Sequence, residues 1–153
     1  MQTAHLIFAI QLFSTLAMVG LIWFVQVVHY PMFENVGAND FGKYSEIHQA
    51  KTSFVVIPFM IAEIATAFAL LFIKLPGIPS WQWIVAAILL VIVWSSTFFV
   101  QVPLHAKLSS GYDLTTIRTL VNTNWIRTIC WSIRGFMLVG MVPQLLSLKN
   151  ISN

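Results

Sequence analysis

Four separated apolar stretches, each close to the roughly 20 residues a helix needs to cross a bilayer, constrain this chain more than any other feature. They run over 6–28, 54–73, 83–102 and 126–146. The first holds no Lys, Arg, Asp or Glu, while Glu63 interrupts the second and Arg134 lies within the fourth. Only 8% of the residues are charged and 58% are apolar, against roughly 25% and 45–50% in a soluble domain. Such a chain cannot cover a water-facing surface. The predicted fold is therefore all-α, an integral membrane four-helix bundle forming one domain over residues 1–153. The first stretch lacks a basic leading region and exceeds the roughly 7–15 apolar residues of a signal peptide, so it reads as a retained span. The net charge of +3 is small and dispersed, which argues against nucleic acid as a partner. Cys130, the single cysteine, reads as a small buried hydrophobe.

The connections are unequal. Leu75-Pro-Gly-Ile-Pro-Ser80 is a short turn in which two prolines and a glycine stop one helix and start the next. The links over 30–53 and 103–125 are each longer than twenty residues and polar. Each is expected to contain a helical extension of the following span, with Asp40 and Asp113 as N-caps. The long-link side carries Lys43, Lys51, Lys107, Arg118 and Arg127, and the other side Lys74 and Lys149. By the positive-inside tendency the long links face the cytoplasm and both termini face outward.

An internal repeat is also suggested. Phe-Val-Gln-Val occurs at 24–27 and again at 99–102, with a histidine after each copy (His29, His105) and a proline nearby (Pro31, Pro103). The spacing of 76 that separates His29 from His105 also carries His48 onto Asn124 and Lys51 onto Arg127. Two parallel helix-pair repeats would put His29, His48, His105 and Asn124 at similar depth around one axis.

Polar groups in hydrocarbon are costly, so their positions carry the most information. Each span has one polar stripe at helical spacing: Trp23, Gln26, His29 and Tyr30; Tyr44, His48 and Glu63; Trp94, Thr97, Gln101 and His105; Asn124, Arg127, Trp131 and Arg134. Pro103 is expected to kink or break the third helix. Three neutral imidazoles, His29, His48 and His105, form a candidate site for copper, iron or zinc. A haem held by His29 and His105 is a variant of that reading. Glu63 and Arg134 should meet, with an axial offset of about 7.5 Å at about 1.5 Å per residue. They read either as an ion pair fixing two helices or, with Asn124, as the catalytic groups. Gln26, Tyr30, Trp94, Gln101 and Trp125 are candidate substrate-binding residues. Arg127 reads as a side chain that snorkels to lipid headgroups, and Trp81 and Trp83 as interfacial anchors.

The runs Gln26-Val-Val-His-Tyr-Pro31, Val102-Pro-Leu-His105 and Asn124-Trp-Ile-Arg127 resemble the small four-span membrane family that includes anthrone oxygenases. The resemblance covers nearly the whole chain. It implies a membrane-embedded oxygenase or related oxidoreductase acting on lipophilic small molecules, aromatic ones included. It carries over His29, His105, Asn124 and Trp125 as candidates. Anthrone oxygenases are usually described as needing no cofactor, which stands in tension with a three-histidine metal site. Two other classes fit the polar stripes: a small transporter or channel, and an accessory subunit or homo-oligomer in which the stripes join helices.

Overall fold

The computed structural model describes residues 2–73 and 75–151, with side chains described up to residue 147. It is an all-α bundle of four long helical rods. The first rod is α1 (Gln2–Phe24), a wide turn over Val25–His29 and a 3₁₀ turn over Pro31–Asn35. The second is α2 (Phe41–Phe72). The third is α3 (Ser80–Ser96), a second wide turn over Thr97–Gln101 and α4 (Val102–Ser109). The fourth is α5 (Leu114–Ile151). All four rods are long and apolar enough to cross a membrane. Their outer faces are apolar too: Phe54 is 84% exposed, and Phe99 and Phe136 are each 80% exposed. Only hydrocarbon can solvate such a surface, so the chain is a multi-pass membrane protein.

The rods extend further than the apolar stretches alone. Residues 41–53 and 114–125 are the predicted helical extensions. Asp113 caps α5 as expected, accepting from the Thr115 amide at 3.1 Å and the Lys107 ammonium at 2.8 Å. That ammonium, with Thr116, holds the Asp113 carboxyl at about 2, well below the usual carboxylate range. Asp40 differs. Its carbonyl takes the first helical bond from Tyr44, while its side chain caps nothing.

Pro103 does not break the third rod. A proline has no N–H and its ring crowds the carbonyl four residues back. Here the helix widens just before it, so that the amide of Val102 reaches the carbonyl of Thr97, five residues away. Pro31 is handled in the same way, with the Tyr30 amide donating to the Val25 carbonyl at 2.9 Å. Each wide turn sets a glutamine, Gln26 or Gln101, into the interior. In the short turn, Gly77 has a φ of 81°, a backbone shape that disfavours a side chain.

The interior is layered. At the short-turn end, Phe8, Leu70, Trp83, Leu138 and Met141 form an apolar layer. Trp83 is thus a core residue stacked edge-on against Phe8, not an interfacial anchor, whereas Trp81 is exposed. Next comes a polar layer of Gln11, Thr15, Glu63 and Arg134, all buried. A second apolar layer holds Met18, Ile22, Met60, Val93, Cys130 and Trp131. A second polar layer holds Gln26, Gln101, Asn124, Arg127 and Thr128. Tyr30, Phe33, Phe41, Leu108, Ile117 and Leu120 close the long-link end. Around the bundle, α1 packs on α2 and α5, and α3 packs on α5, but α2 and α3 meet sparsely. That seam is the open side.

The predicted Glu63–Arg134 pair is present, with Nε 3.5 Å from Oε1 and both side chains buried. Thr15 also donates to Oε1 at 2.6 Å and the Trp131 indole to Oε2 at 2.9 Å. Each carboxylate oxygen therefore accepts a hydrogen bond beside the guanidinium, as suits a structural ion pair, while Arg134 Nε has the charge contact but no hydrogen-bond partner. Removing one partner of such a pair costs about 3–5 kcal/mol. Glu63→Gln should lose that much in unfolding titrations in mixed micelles. Glu63→Gln combined with Arg134→Met should lose markedly less, because no lone charge is then left buried.

Candidate functional site

The second polar layer opens into a cavity of about 400 Å³ between α2 and the third rod. Tyr30, His48, Gln101, His105 and Arg127 form its polar end. Met18, Ile22, Val56, Met60, Trp94 and Trp131 give it apolar walls. Ile57, Ile61, Phe98 and Val102 also line it and are each half or more exposed. Its mouth therefore faces the bilayer, along the sparsely packed seam.

Arg127 is the centre of the polar end and is 8% exposed. It does not snorkel. Its Nε donates to Asn124 Oδ1 at 2.9 Å, and Nη2 contacts the same oxygen. Nη2 also donates to the Tyr30 hydroxyl at 3.3 Å and to Gln101 Oε1 at 3.4 Å, and Nη1 to Thr97 Oγ1 at 3.5 Å. One guanidinium thus ties α5 to the ends of the first and third spans. Behind it, Asn124 donates to Gln26 Oε1 at 2.8 Å, Gln26 donates to the Val121 carbonyl at 3.1 Å, and Gln101 donates to Thr123 at 3.0 Å. Both glutamines are positioned by the wide turns.

Tyr30 links the guanidinium to the histidines. Its oxygen lies 2.8 Å from His105 Nε2. Having accepted from Arg127, the hydroxyl has its own proton free for that nitrogen. A neutral His105 then carries its proton on Nδ1, which is buried without a partner. His48 Nδ1 lies 2.8 Å from His29 Nε2 and 3.1 Å from the Thr52 hydroxyl. The His48 ring is 4.5 Å from that of His29 and 5.7 Å from that of His105, centroid to centroid. Phe33 packs edge-on against both His29 and His48. Gln49 bridges to α4, donating to the His105 carbonyl at 3.2 Å and to Ser109 at 2.7 Å.

The structure thus brings the three histidines together at the long-link end. Their nitrogens face one another or Tyr30, and among the described residues no three His, Cys, Asp or Glu side chains stand as a metal site. His48 neighbours both His29 and His105, so a haem between those two would have to displace it. Of the other candidates, Tyr30, Trp94 and Gln101 line the cavity. Gln26 and Asn124 lie behind it as supports. Trp125 is outside, edge-on to Trp23. Glu63 and Arg134 lie in the other polar layer, below Trp131. Arg127, Gln49, Thr52 and Thr97 join the site without having been singled out for it. For Arg127 the signal was the absence of an acidic residue at a turn's distance on its own helix.

Comparison of the chain with models of protein families, with curated proteins and with solved structures finds no match.

Asn124 satisfies both Gln26 and the guanidinium. Asn124→Ala should leave both buried groups short of a partner and cost about 2–3 kcal/mol. Unfolding in mixed micelles measures this, and a change below about 0.5 kcal/mol, the range of ordinary surface substitutions, would contradict it.

Proposed function

We propose that the chain is a membrane-embedded oxidoreductase that admits a small lipophilic substrate sideways from the bilayer. It would work on that substrate at the His105–Tyr30 pair. The observation that carries this reading is a 2.8 Å Tyr30–His105 contact at the polar end of a cavity whose other walls are apolar and whose mouth faces lipid. A lipophilic molecule would rest its body on Met18, Ile22, Trp94 and Trp131 and present its polar group to Tyr30, Gln101 and Arg127. Positioned imidazole and phenol groups transfer protons, typically for about 10²–10⁴-fold in rate. A substrate methylene that gives up a proton to the Tyr30 oxygen, as the hydroxyl's own proton passes to His105 Nε2, becomes an electron-rich carbanion. Dioxygen as co-substrate would take its electrons, one oxygen atom ending as the substrate's carbonyl and the other leaving with the two methylene hydrogens as water. The likeness to the anthrone oxygenase family supports that chemistry. The apolar layer of Met60, Val93, Cys130 and Trp131 separates the cavity from the Glu63–Arg134 layer, which favours an enzyme pocket over a transport path.

A second reading keeps the transition metal. The mutual proximity of His29, His48 and His105 supports it, and copper, iron or zinc would supply Lewis acidity or redox chemistry there. Binding would require His29 and His48 to release their contact. Elemental analysis and absorption spectra, taken alongside oxygen uptake with lipophilic phenols, separate the two. Metal-free protein that turns over, with about a hundredfold loss or more in His105→Ala, fits the first reading. Activity lost to a chelator and restored by one metal would replace it with the second.

We place the histidine end in the cytoplasm on the basic-residue bias. In a Cys130→Ala background, a cysteine at Ser110 should then resist impermeant thiol reagents in intact cells, while one at Gln2 should react. The reverse pattern would invert the orientation.

A further inference from the structure

The charge inventory around Arg127 says what kind of molecule the cavity takes. The chain has five Asp and Glu residues. Glu34 pairs with Arg118 at 3.1 Å, Asp113 with Lys107 at 2.8 Å and Glu63 with Arg134 at 3.5 Å. Asp40 and Glu46 are exposed and make no salt bridge among the described residues. Arg127 is left buried with neutral partners only: an asparagine, a glutamine, a threonine and a tyrosine. A buried cation in a low-dielectric setting is normally paired, and arginine stays charged. The unmatched polar atoms among the cavity's lining side chains have the same sense. They are Nδ1 of His105 and Nε1 of Trp94, both of which lack an acceptor. The site thus has a surplus of positive charge and, among its fully buried atoms, of donors.

We infer that the cavity binds an organic acid as its anion, with the negative group on Arg127 and an apolar body against Met60, Trp94 and Trp131. This rests on the cavity being the substrate site, and it names the substrate class. The guanidinium is pre-positioned: Asn124 fixes its Nε edge, which leaves the Nη edge toward Tyr30, Gln101 and the cavity. Planar donors in that arrangement suit a carboxylate or an enolate oxygen. The Tyr30 hydroxyl beside it, its proton directed to His105, polarises the same end of the cavity. The lipid-facing mouth, flanked by Ile57, Ile61 and Phe98, suits a single-tailed acid that partitions into the bilayer.

Octanoate and octanamide share shape and tail but differ in charge, so they test the inference directly. Binding of each, radiolabelled, is measured to the purified protein in nanodiscs of zwitterionic lipid, against empty nanodiscs. Saturable octanoate binding is expected, at least about tenfold tighter than octanamide. Arg127→Gln should abolish the preference, and Arg127→Lys should keep part of it. Equal binding of the two probes to the wild-type protein would overturn the anion assignment while leaving the cavity as a lipophile site. Saturable binding of neither would overturn the cavity reading as well. An anionic phospholipid that co-purifies with the chain and that octanoate cannot displace would overturn it in favour of a lipid headgroup. The wild-type comparison decides the matter even where Arg127→Gln fails to fold.

Discussion

A buried guanidinium without a carboxylate organises the working end of this bundle. Arg127 sits at membrane depth, where a charge is expensive, and it is held by four neutral side chains from three spans. Each of those is in turn placed by something else. Asn124 is anchored by Gln26, Gln101 by Thr123, Thr97 by the Val93 carbonyl, and Tyr30 by the first wide turn. The His105–Tyr30 contact, the shape of the polar end and the direction of the cavity all follow from where that guanidinium is fixed.

The layering explains how a chain this apolar affords two polar centres. Hydrophobic association does not drive helices together in lipid, so hydrogen bonds and close packing must do so. The Glu63–Arg134 layer is self-neutralising, and it suits assembly. The Arg127 layer is not, and it borders a cavity. The difference between a charge with its counter-ion and one without it separates scaffold from site more clearly than residue type does. Both centres contain an arginine, a glutamine and a threonine.

Much of this was legible in the residues. The four spans follow from composition, because no other arrangement of so few charges is soluble or stable. The Glu63–Arg134 contact follows from the cost of a lone charge in a span, and the gathering of the histidines at one end from their places beside the long links. Three features were hidden, each for a physical reason. Pro103 read as a kink or break, but a single wide turn absorbs a missing N–H without ending the helix. Trp83 read as an anchor, since hydropathy does not distinguish a tryptophan at the interface from one against Phe8. Arg127 read as a snorkelling residue because it stands where the fourth span enters the membrane, whereas three of its four partners arrive from other spans. Asn124 and Gln26 were chosen for the right reason, their cost in hydrocarbon, but they support the site from behind.

The dependence on Arg127 is testable through two residues whose side-chain oxygens share it. Gln101 and Asn124 each accept from the guanidinium, and no hydrogen bond joins them to each other. A double-mutant cycle of Gln101→Ala and Asn124→Ala, read by unfolding in mixed micelles, should show a coupling of about 0.5–3 kcal/mol. The same cycle in an Arg127→Gln background should fall to near zero. Additive effects in the wild-type background, or coupling that survives the loss of Arg127, would contradict the account.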